Sequence, residues 1–199
     1  MARQAPARVF LLSPADCGGE RARLVMSPRA GFPLAVRLRD AGAPLGEVMS
    51  FMSALYFRGK LAYARAFARP PGEAPGVLVI TPNAGLLPPD QVVTVDDLRR
   101  FARGDVDPER AGYRRPLVAA ASALAGRLSL GDEVVLLGSI ATAKYAAPLA
   151  PALGDRLRFP PAFAGIGDMS RGALLLRAVR TGVELEYAPL TERVHRPRG

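Results

Sequence analysis

The sequence is poor in residues that build disulfides and metal sites. Among 199 residues it has one cysteine, Cys17, one histidine, His195, and no tryptophan. A single cysteine cannot form a disulfide within the chain, and one Cys with one His cannot supply a structural zinc site. His195 lies four residues from the end in an Arg-Pro segment, so a Ser-His-Asp triad is not expected either. We therefore expect no metal, no cofactor and a reducing, cytoplasmic location.

Long apolar runs and nucleotide fingerprints are also absent. No run reaches the roughly 18 residues that span a membrane. The apolar stretch after the basic start, Val9 to Leu12, is too short for the core of a signal peptide. Neither G-x-x-x-x-G-K-[ST] nor G-x-G-x-x-G occurs. We therefore expect no membrane association and no standard nucleotide-binding loop.

Positive charge is in excess, but arginine carries almost all of it. The formal net charge is +9, and only two of the 27 basic residues are lysines, Lys60 and Lys144. Basic residues can bind the phosphates of a nucleic acid, yet a chain rich in Arg, Ala, Gly and Pro equally fits a codon-driven composition. The lysines stand out because a compact amine with a tunable pKa does chemistry that arginine cannot.

The alternation of elements predicts one α/β domain over residues 1–199. Its 49% hydrophobic and 23% charged residues are typical of a globular protein. Short apolar segments predict strands at 8–12, 77–81, 133–137 and 183–187. Helical periodicity covers 32–38, 45–67, 96–101, 113–128, 140–147 and 168–180. This order predicts crossover units and a mainly parallel or mixed sheet flanked by helices.

Glycine and proline set three expected boundaries. Gly59 is the predicted joint if segment 45–67 forms two helices, since glycine weakens a helix interior by about 1 kcal/mol. The helix at 140–147 is expected to end or restart at Pro148 because proline lacks the amide that a helix interior needs. Residues 193–199 are expected to form a frayed basic tail.

Polar loops follow three of the predicted strands. Ser13, Asn83 and Ser139 each lie just beyond a strand end. The carboxyl ends of parallel strands share one edge of the sheet, and ligands bind in the crevice there. We therefore expect the loops 13–19, 83–90 and 138–144 to converge.

Three residues are candidates for catalysis. Cys17 would act as a nucleophile if a helix start lowered its pKa, although a lone cysteine is more often inert. Asp90 and Asp168 would act as acid or base on a small substrate. Capping roles remain open, with Asp168 as the N-cap of its helix and Asp16 as the cap of the helix that follows it.

The candidate ligand-binding residues lie in loops, at helix starts and around Gly59. The helical segment around Gly59 offers an aromatic ring and two cations, or simply a solvated helix face with a core tyrosine. Helix starts bind anions through free amides and the helix dipole. Asn83 could alternatively take a left-handed turn. The full set is Ser13, Tyr56, Arg58, Lys60, Asn83, Ser139, Thr142, Lys144, Ser170 and Arg171. We expect one concavity lined by Ser13, Tyr56, Asn83, Ser139, Lys144 and Arg171.

Five short segments add a family resemblance through their order. They are Leu12-Ser-Pro-Ala, Ala54-Leu-Tyr-Phe-Arg-Gly-Lys, Val79-Ile-Thr-Pro-Asn-Ala-Gly-Leu-Leu-Pro-Pro-Asp, Leu137-Gly-Ser-Ile-Ala-Thr-Ala-Lys-Tyr and Asp168-Met-Ser-Arg-Gly. In this order they resemble the YaaA-like (peroxide stress protein) family and related uncharacterised domains. The resemblance implies a compact α/β fold, a basic cleft and association with DNA, with no agreed catalytic activity. The family's early loop carries lysine where this chain has Asp16, so no role of that lysine is carried over.

Three hypotheses about function follow. The first is a DNA- or RNA-associated protein whose cleft holds a phosphate backbone through Arg58, Lys60, Lys144 and Arg171. The second is an enzyme acting on a nucleotide, nucleoside or modified base, with Lys144 and helix amides on phosphate and Tyr56 stacked on the base. The third is a structural or interaction domain. A broad basic stripe favours the polymer, whereas a small deep pocket containing the lysines favours a small ligand. The sequence indicates no oligomeric state.

Overall fold

Strand β1 (Arg8–Leu12) lies in the interior of a six-stranded sheet in the computed structural model, which describes residues 6–140 and 142–190. It pairs in parallel with β3 (Val77–Ile80) and β6 (Glu133–Leu137), and Phe10 lies opposite Val77 and Val135. Such strands are covered on both faces, which explains their continuous apolar sequences.

The remaining strands complete a mixed sheet. β7 (Leu157–Phe159) pairs in parallel with β6, and the two edges are antiparallel, formed by β4 (Leu86–Leu87) and β8 (Ala188–Pro189). The order across the sheet is β4-β3-β1-β6-β7-β8. A separate two-stranded sheet joins β2 (Ala43–Pro44) to β5 (Val92–Val93). The predicted α/β fold with a mixed, helix-flanked sheet is confirmed.

Helices cover both faces of the sheet. They are α1 (Glu20–Val25), α2 (Pro33–Asp40), α3 (Leu45–Ser53), α4 (Leu55–Phe67), α5 (Val95–Ala102), α6 (Ala111–Ala125), α7 (Ala143–Leu153) and α8 (Asp168–Thr181). Phe10 and Leu12 of β1 face one core with α3, α4 and α8, whereas Val9 and Leu11 face a second core with α6 and α7. Within residues 6–140 and 142–190, no helix is both long and apolar enough to cross a membrane.

Helix α7 continues through two prolines, so the predicted end or restart at Pro148 is wrong. It runs to Leu153 and contains Pro148 and Pro151. Proline at position 148 leaves the carbonyl of Lys144, four residues earlier, without its helical donor. The hydroxyl of Tyr113 on α6 fills this gap by donating to Lys144 O at 2.9 Å. A contact between helices therefore replaces the missing backbone hydrogen bond.

Side chains, and not a strand ladder, hold the segment 183–187. The predicted strand there is wrong, because the observed strand β8 begins only at Ala188. The amide of Leu185 donates to Tyr63 Oη at 2.8 Å, and Tyr63 Oη lies 2.5 Å from Tyr187 Oη. Glu184 pairs with Arg8 of β1. These hydroxyl and ionic contacts tie the segment to α4 and to the sheet.

The break in segment 45–67 falls at Ala54, not at Gly59 as predicted. Ala54 connects α3 to α4 with φ of 50° and ψ of −123°. It is the only non-glycine residue with a positive φ in the described part of the chain. A side chain in this region of backbone space costs on the order of 1–3 kcal/mol.

We predict that Ala54→Gly stabilises the protein by about 1 kcal/mol. Removing the Cβ relieves the strain, and the greater entropy of an unfolded glycine offsets only part of that gain. Urea unfolding measures the difference. The control is Ala66→Gly, at an exposed position inside α4, which should destabilise by about 1 kcal/mol because its backbone is helical. Losses of equal size in both variants would refute the strain at Ala54.

Candidate functional site

Residues from four parts of the chain meet beyond the carboxyl end of β1. We name this group the Lys60 site and define it as Ser13, Tyr56, Lys60, Lys144, Tyr145, Asp168 and Arg171. Ser13 follows β1, Tyr56 and Lys60 lie on α4, Lys144 and Tyr145 lie near the start of α7, and Asp168 and Arg171 lie in the first turn of α8. The location agrees with the general placement of ligand sites in parallel sheets.

A contact between two glycines brings α4 against α8. A Cβ built on Gly59 would lie 2.9 Å from Gly172 O, and one built on Gly172 would lie 3.1 Å from Leu55 O. Only glycine at both positions allows the helix backbones to approach this closely. Gly59 is therefore the crossing point of the two helices, which sets Tyr56 and Lys60 beside Asp168 and Arg171.

Lys60 lies at the bottom of the site with its amine on Ser13. Its side chain is 1% exposed. Nζ donates to the carbonyl oxygen of Ser13 at 2.6 Å and lies 2.7 Å from Ser13 Oγ. The rings of Tyr56 and Phe57 lie 4.4 and 5.0 Å from Nζ. Tyr56 and Lys60 share a helix face because they are four residues apart.

The electrostatics of the site are dominated by cations. Burial lowers the pKa of the Lys60 amine to about 7; the carboxylate of Asp168 opposes this shift, and the charges of Arg171 and Lys144 add to it. Three basic groups thus lie close enough to influence one another around a single carboxylate. Asp168 is also ion-paired to Arg171 at 3.3 Å, so the site has spare positive charge.

The Tyr56 hydroxyl is buried without a hydrogen bond in the described residues. Arg171 lies nearby, but its guanidinium donates to Phe163 O at 3.0 and 3.2 Å and to Asp168 Oδ1 at 3.3 Å. Burial raises the pKa of Tyr56 to about 12, with the charge of Arg171 acting in the opposite direction. The polar group nearest to this hydroxyl is therefore the Arg171 guanidinium.

Helix α7 contributes Lys144 and Tyr145 to the Lys60 site, in addition to the residues of α4 and α8. Burial raises the pKa of Tyr145 to about 12, and the neighbouring Ser13 hydroxyl opposes this shift. The Lys144 amine lies 5.0 Å from the Tyr145 ring, and the side chain is half-buried. A Cβ on Gly138, at the end of β6, would lie 3.1 Å from Ser13 Cβ, so glycine there lets the two strand ends come together.

Three of the predicted site residues lie elsewhere, and one of them, Asn83, belongs to the six expected to line one concavity. Asn83 donates to Arg100 O at 2.6 Å at the end of α5. Arg58 and Asp90 line a different depression, of about 440 Å³, where Asp90 pairs with Arg65 at 2.5 Å. Arg58 cannot join Lys60 because two residues along a helix turn about 200° around its axis.

The surroundings of Cys17 oppose the predicted nucleophile. It is 4% exposed, and burial together with the nearby charge of Asp16 raises the pKa of its thiol to about 12. A protonated, enclosed thiol has the character of a structural cysteine. The predicted caps are wrong as well: Gly19 and Gly167 occupy the N-cap positions of α1 and α8, and Asp16 instead accepts from Gly18 N at 2.8 Å.

The remaining predicted residues lie at the edge of the Lys60 site or outside it. Thr142 and Ser170 are exposed near the starts of α7 and α8, and Ser139 is half-buried beside Gly138. Asp168 reaches solvent with 67% of its side chain exposed. His195 and the predicted tail 193–199 lie outside the described residues.

Sequence reasoning missed Tyr145, Phe163 and Gly172 as parts of the site. Tyr145 directly follows Lys144, one of only two lysines, which is a usable signal. Gly172 ends the Asp168-Met-Ser-Arg-Gly segment and matches Gly59 in the other helix. Phe163, whose carbonyl and ring both contact Arg171, gave no signal in the sequence.

A second depression, of about 470 Å³, lies at the amino ends of β6 and β7, away from the Lys60 site. It is lined mainly by Leu128, Leu130, Gly131 and Pro151 together with the turn at Gly154–Arg156. Its charged side chains are Asp155 and Arg156, and the Arg156 guanidinium already donates to Ala125 O and Leu128 O. The Lys60 site therefore remains the stronger candidate.

The chain matches no protein-family model, no curated protein and no solved structure.

Proposed function

We propose that this protein binds a small phosphorylated ligand, of the nucleotide class, at the Lys60 site. The observation that carries this proposal is the convergence of Lys60, Lys144 and Arg171 around the single carboxylate of Asp168. Spare positive charge beside buried aromatic rings suits a ligand that combines a phosphate with a base. Backbone amides at the start of α8 add donors for the same anion.

The burial of Lys60 favours a small ligand over a polymer. Lys60 is 1% exposed and so cannot lie on an open basic stripe. Lys144 and Asp168, by contrast, reach the surface and mark the entrance. Lys144 and Arg171 hold the phosphate beside Ser13 and Lys60, and the rest of the ligand faces Tyr56 and Phe163.

We further propose that this chain resembles YaaA-like proteins because both have the same ligand-binding site. Four of the five segments that carry the resemblance contribute residues to the Lys60 site. In chain order they contribute Ser13, then Tyr56 and Lys60, then Lys144 and Tyr145, and last Asp168 and Arg171. The fifth segment, which contains Asn83, packs against α5 instead. Segments distant in sequence that meet at one place support a common ligand-binding role.

Replacing Lys144 tests the proposal. We expect thermal stabilisation of the wild type by AMP, GMP, CMP or UMP, and at least about tenfold weaker affinity for Lys144→Ala, since a charge-assisted hydrogen bond contributes roughly 1.5–3 kcal/mol. Lys144→Arg should also weaken binding, because the planar guanidinium directs its donors differently. Isothermal titration calorimetry gives the affinities.

The matched control is Arg58→Ala, which removes an exposed cation from the same helix as Lys60 but outside the site. It should bind like the wild type. Absence of binding by all four nucleotides, or wild-type affinity in both Lys144 variants, would contradict the proposal.

Nucleic acid is the second candidate ligand. The net charge of +9 and exposed arginines such as Arg23 and Arg29 beside α1 favour it. Adding a DNA oligonucleotide to the same titrations separates the candidates. Polymer affinity should fall with salt along a log-log slope of about −0.9 for each neutralised phosphate. A flat salt dependence would leave only the small ligand.

A further inference from the structure

The hydroxyl of Ser13 and the amine of Lys60 have the geometry of a nucleophile and its base. Nζ donates to Ser13 Oγ at 2.7 Å, and Ser13 Oγ donates to the carbonyl oxygen of Leu137 at 3.3 Å. When the amine is neutral, rotation of the hydroxyl turns the Ser13 proton from Leu137 O to the nitrogen lone pair. Nζ is also fixed by its hydrogen bond of 2.6 Å to Ser13 O. Serine activated by lysine is one of the recurring solutions for nucleophilic catalysis, and hydrogen-bond contact between the two groups is its structural signature.

The surroundings favour a neutral amine, which a base requires. The groups that face Lys60 are Tyr56 on its own helix, Asp168 and Arg171 on α8, and Lys144 on α7. Burial lowers the pKa of Lys60 to about 7, so at neutral pH a large fraction of the amine has a free lone pair. An exposed lysine would be almost wholly protonated there.

We propose that Ser13 and Lys60 form a catalytic pair that transfers the phosphoryl group of a phosphate ester to Ser13 Oγ. The inference rests on the proposed function, which places a phosphorylated ligand at this site. Lys144 and Arg171 hold the phosphoryl oxygens as negative charge develops on them.

The reaction proceeds in two balanced steps. In the first, the Ser13 O–H proton passes to the neutral Lys60 amine, the Oγ–P bond forms, and the bond from phosphorus to the ester oxygen breaks. The leaving oxygen, on the side of phosphorus opposite Ser13, takes a proton from water and departs as an alcohol, and the Lys60 ammonium gives its proton to the hydroxide that remains. In the second, a water molecule gives a proton to Lys60 and attacks phosphorus, the Oγ–P bond breaks, and Ser13 Oγ recovers the proton. The net change is hydrolysis of the ester to an alcohol and inorganic phosphate.

Diisopropyl fluorophosphate is a probe that tests the pair without knowledge of the natural ester. Attack by Ser13 Oγ displaces fluoride, and the serine proton leaves through Lys60, so one diisopropylphosphoryl group is added to the protein. We expect peptide mass spectrometry to place it on Ser13. The rate of labelling should rise with pH through about 7 and then level off, because only the neutral Lys60 amine accepts the proton.

Two variants and a control sharpen the test. Ser13→Ala should abolish the adduct, and Lys60→Met should slow labelling at least about 100-fold, as expected for loss of a general base. Ser50→Ala removes a hydroxyl that bonds Gly46 O within α3, outside the site, and should label at the wild-type rate. The wild-type pH profile stands as evidence even if Lys60→Met fails to fold.

The outcomes separate this inference from the proposed function. No adduct, an adduct elsewhere than Ser13, or a rate independent of pH would overturn the catalytic pair even if nucleotides bind. Labelling of Ser13 with the expected pH profile, in a protein that binds none of the four nucleotides, would keep the pair and overturn the nucleotide ligand.

Discussion

Replacing Gly59 by alanine is expected to lower the free energy of unfolding by about 1–2 kcal/mol. The added Cβ would lie 2.9 Å from Gly172 O and 3.2 Å from Gly172 Cα. Both atoms belong to the α8 backbone, so the clash can be relieved only by moving one helix away from the other. Overpacking of this kind costs typically 1–3 kcal/mol, and the better helix propensity of alanine returns only about 1 kcal/mol. Urea unfolding measures the loss.

The chain contains a matched control for this substitution. Gly112 also lies within a helix, α6, but nothing lies within 4 Å of a Cβ built there. Gly112→Ala should therefore stabilise the protein by about 1 kcal/mol through helix propensity alone. Stabilisation of equal size at both positions would show that α4 and α8 do not touch at Gly59.

The helix crossing also determines the geometry of the Lys60 site. Tyr56 and Lys60 lie within one turn of Gly59, and Arg171 directly precedes Gly172. A separation of the two helices would move both lysine and tyrosine relative to the guanidinium. We therefore expect Gly59→Ala to weaken nucleotide binding in the fraction of protein that stays folded, whereas Gly112→Ala leaves it unchanged.

The strands of the parallel sheet could be predicted from sequence because their signal is local. Arg8–Leu12 and Glu133–Leu137 were predicted with the observed bounds, since each is a continuous apolar run bounded by polar residues. The position of Ser13 at the carboxyl edge followed from the same local signal. Elements whose signal depends on distant contacts were not predictable in this way.

The errors at Pro148 and Gly59 have the same physical origin. The carbonyl that Pro148 leaves unsatisfied is capped by Tyr113, which is 31 residues from Lys144 in sequence. The glycine that local rules mark as a helix joint is covered by Gly172. In both cases a tertiary contact compensates for an unfavourable local choice. A prediction from local helix propensity takes no account of such tertiary contacts.

The burial of Lys60 could not be deduced for a related reason. The sequence around Tyr56, Arg58 and Lys60 is compatible with a helix face exposed to solvent and equally with part of a binding site. Only the contact with α8 decides between these alternatives. Arg58 on the same turn is exposed, while Lys60 is fully enclosed. The rarity of lysine in this chain was the one sequence signal that distinguished the two positions.

Stability should increase toward alkaline pH because of Lys60. Its pKa is about 7 in the folded protein against the ordinary 10.5, since burial penalises the charged form. Between these values the unfolded chain binds the proton and the folded chain does not. The free energy of unfolding therefore rises with pH in this window. Below it Lys60 is protonated in both states, so the cost of the buried charge is fully present and no longer changes with pH. Comparison with Lys60→Met isolates the effect, because methionine does not titrate and the other groups are common to both proteins.

We expect the stability of the wild type relative to Lys60→Met to rise by about 3 kcal/mol between about pH 7 and pH 10. Urea unfolding of both proteins at several pH values measures this difference. The neutral amine keeps its hydrogen bonds to Ser13 across the range, so only the cost of the buried charge changes. Parallel curves for the two proteins would mean that Lys60 stays protonated in the folded state. Such a lysine could still hold a phosphate, but it could not accept the proton of Ser13.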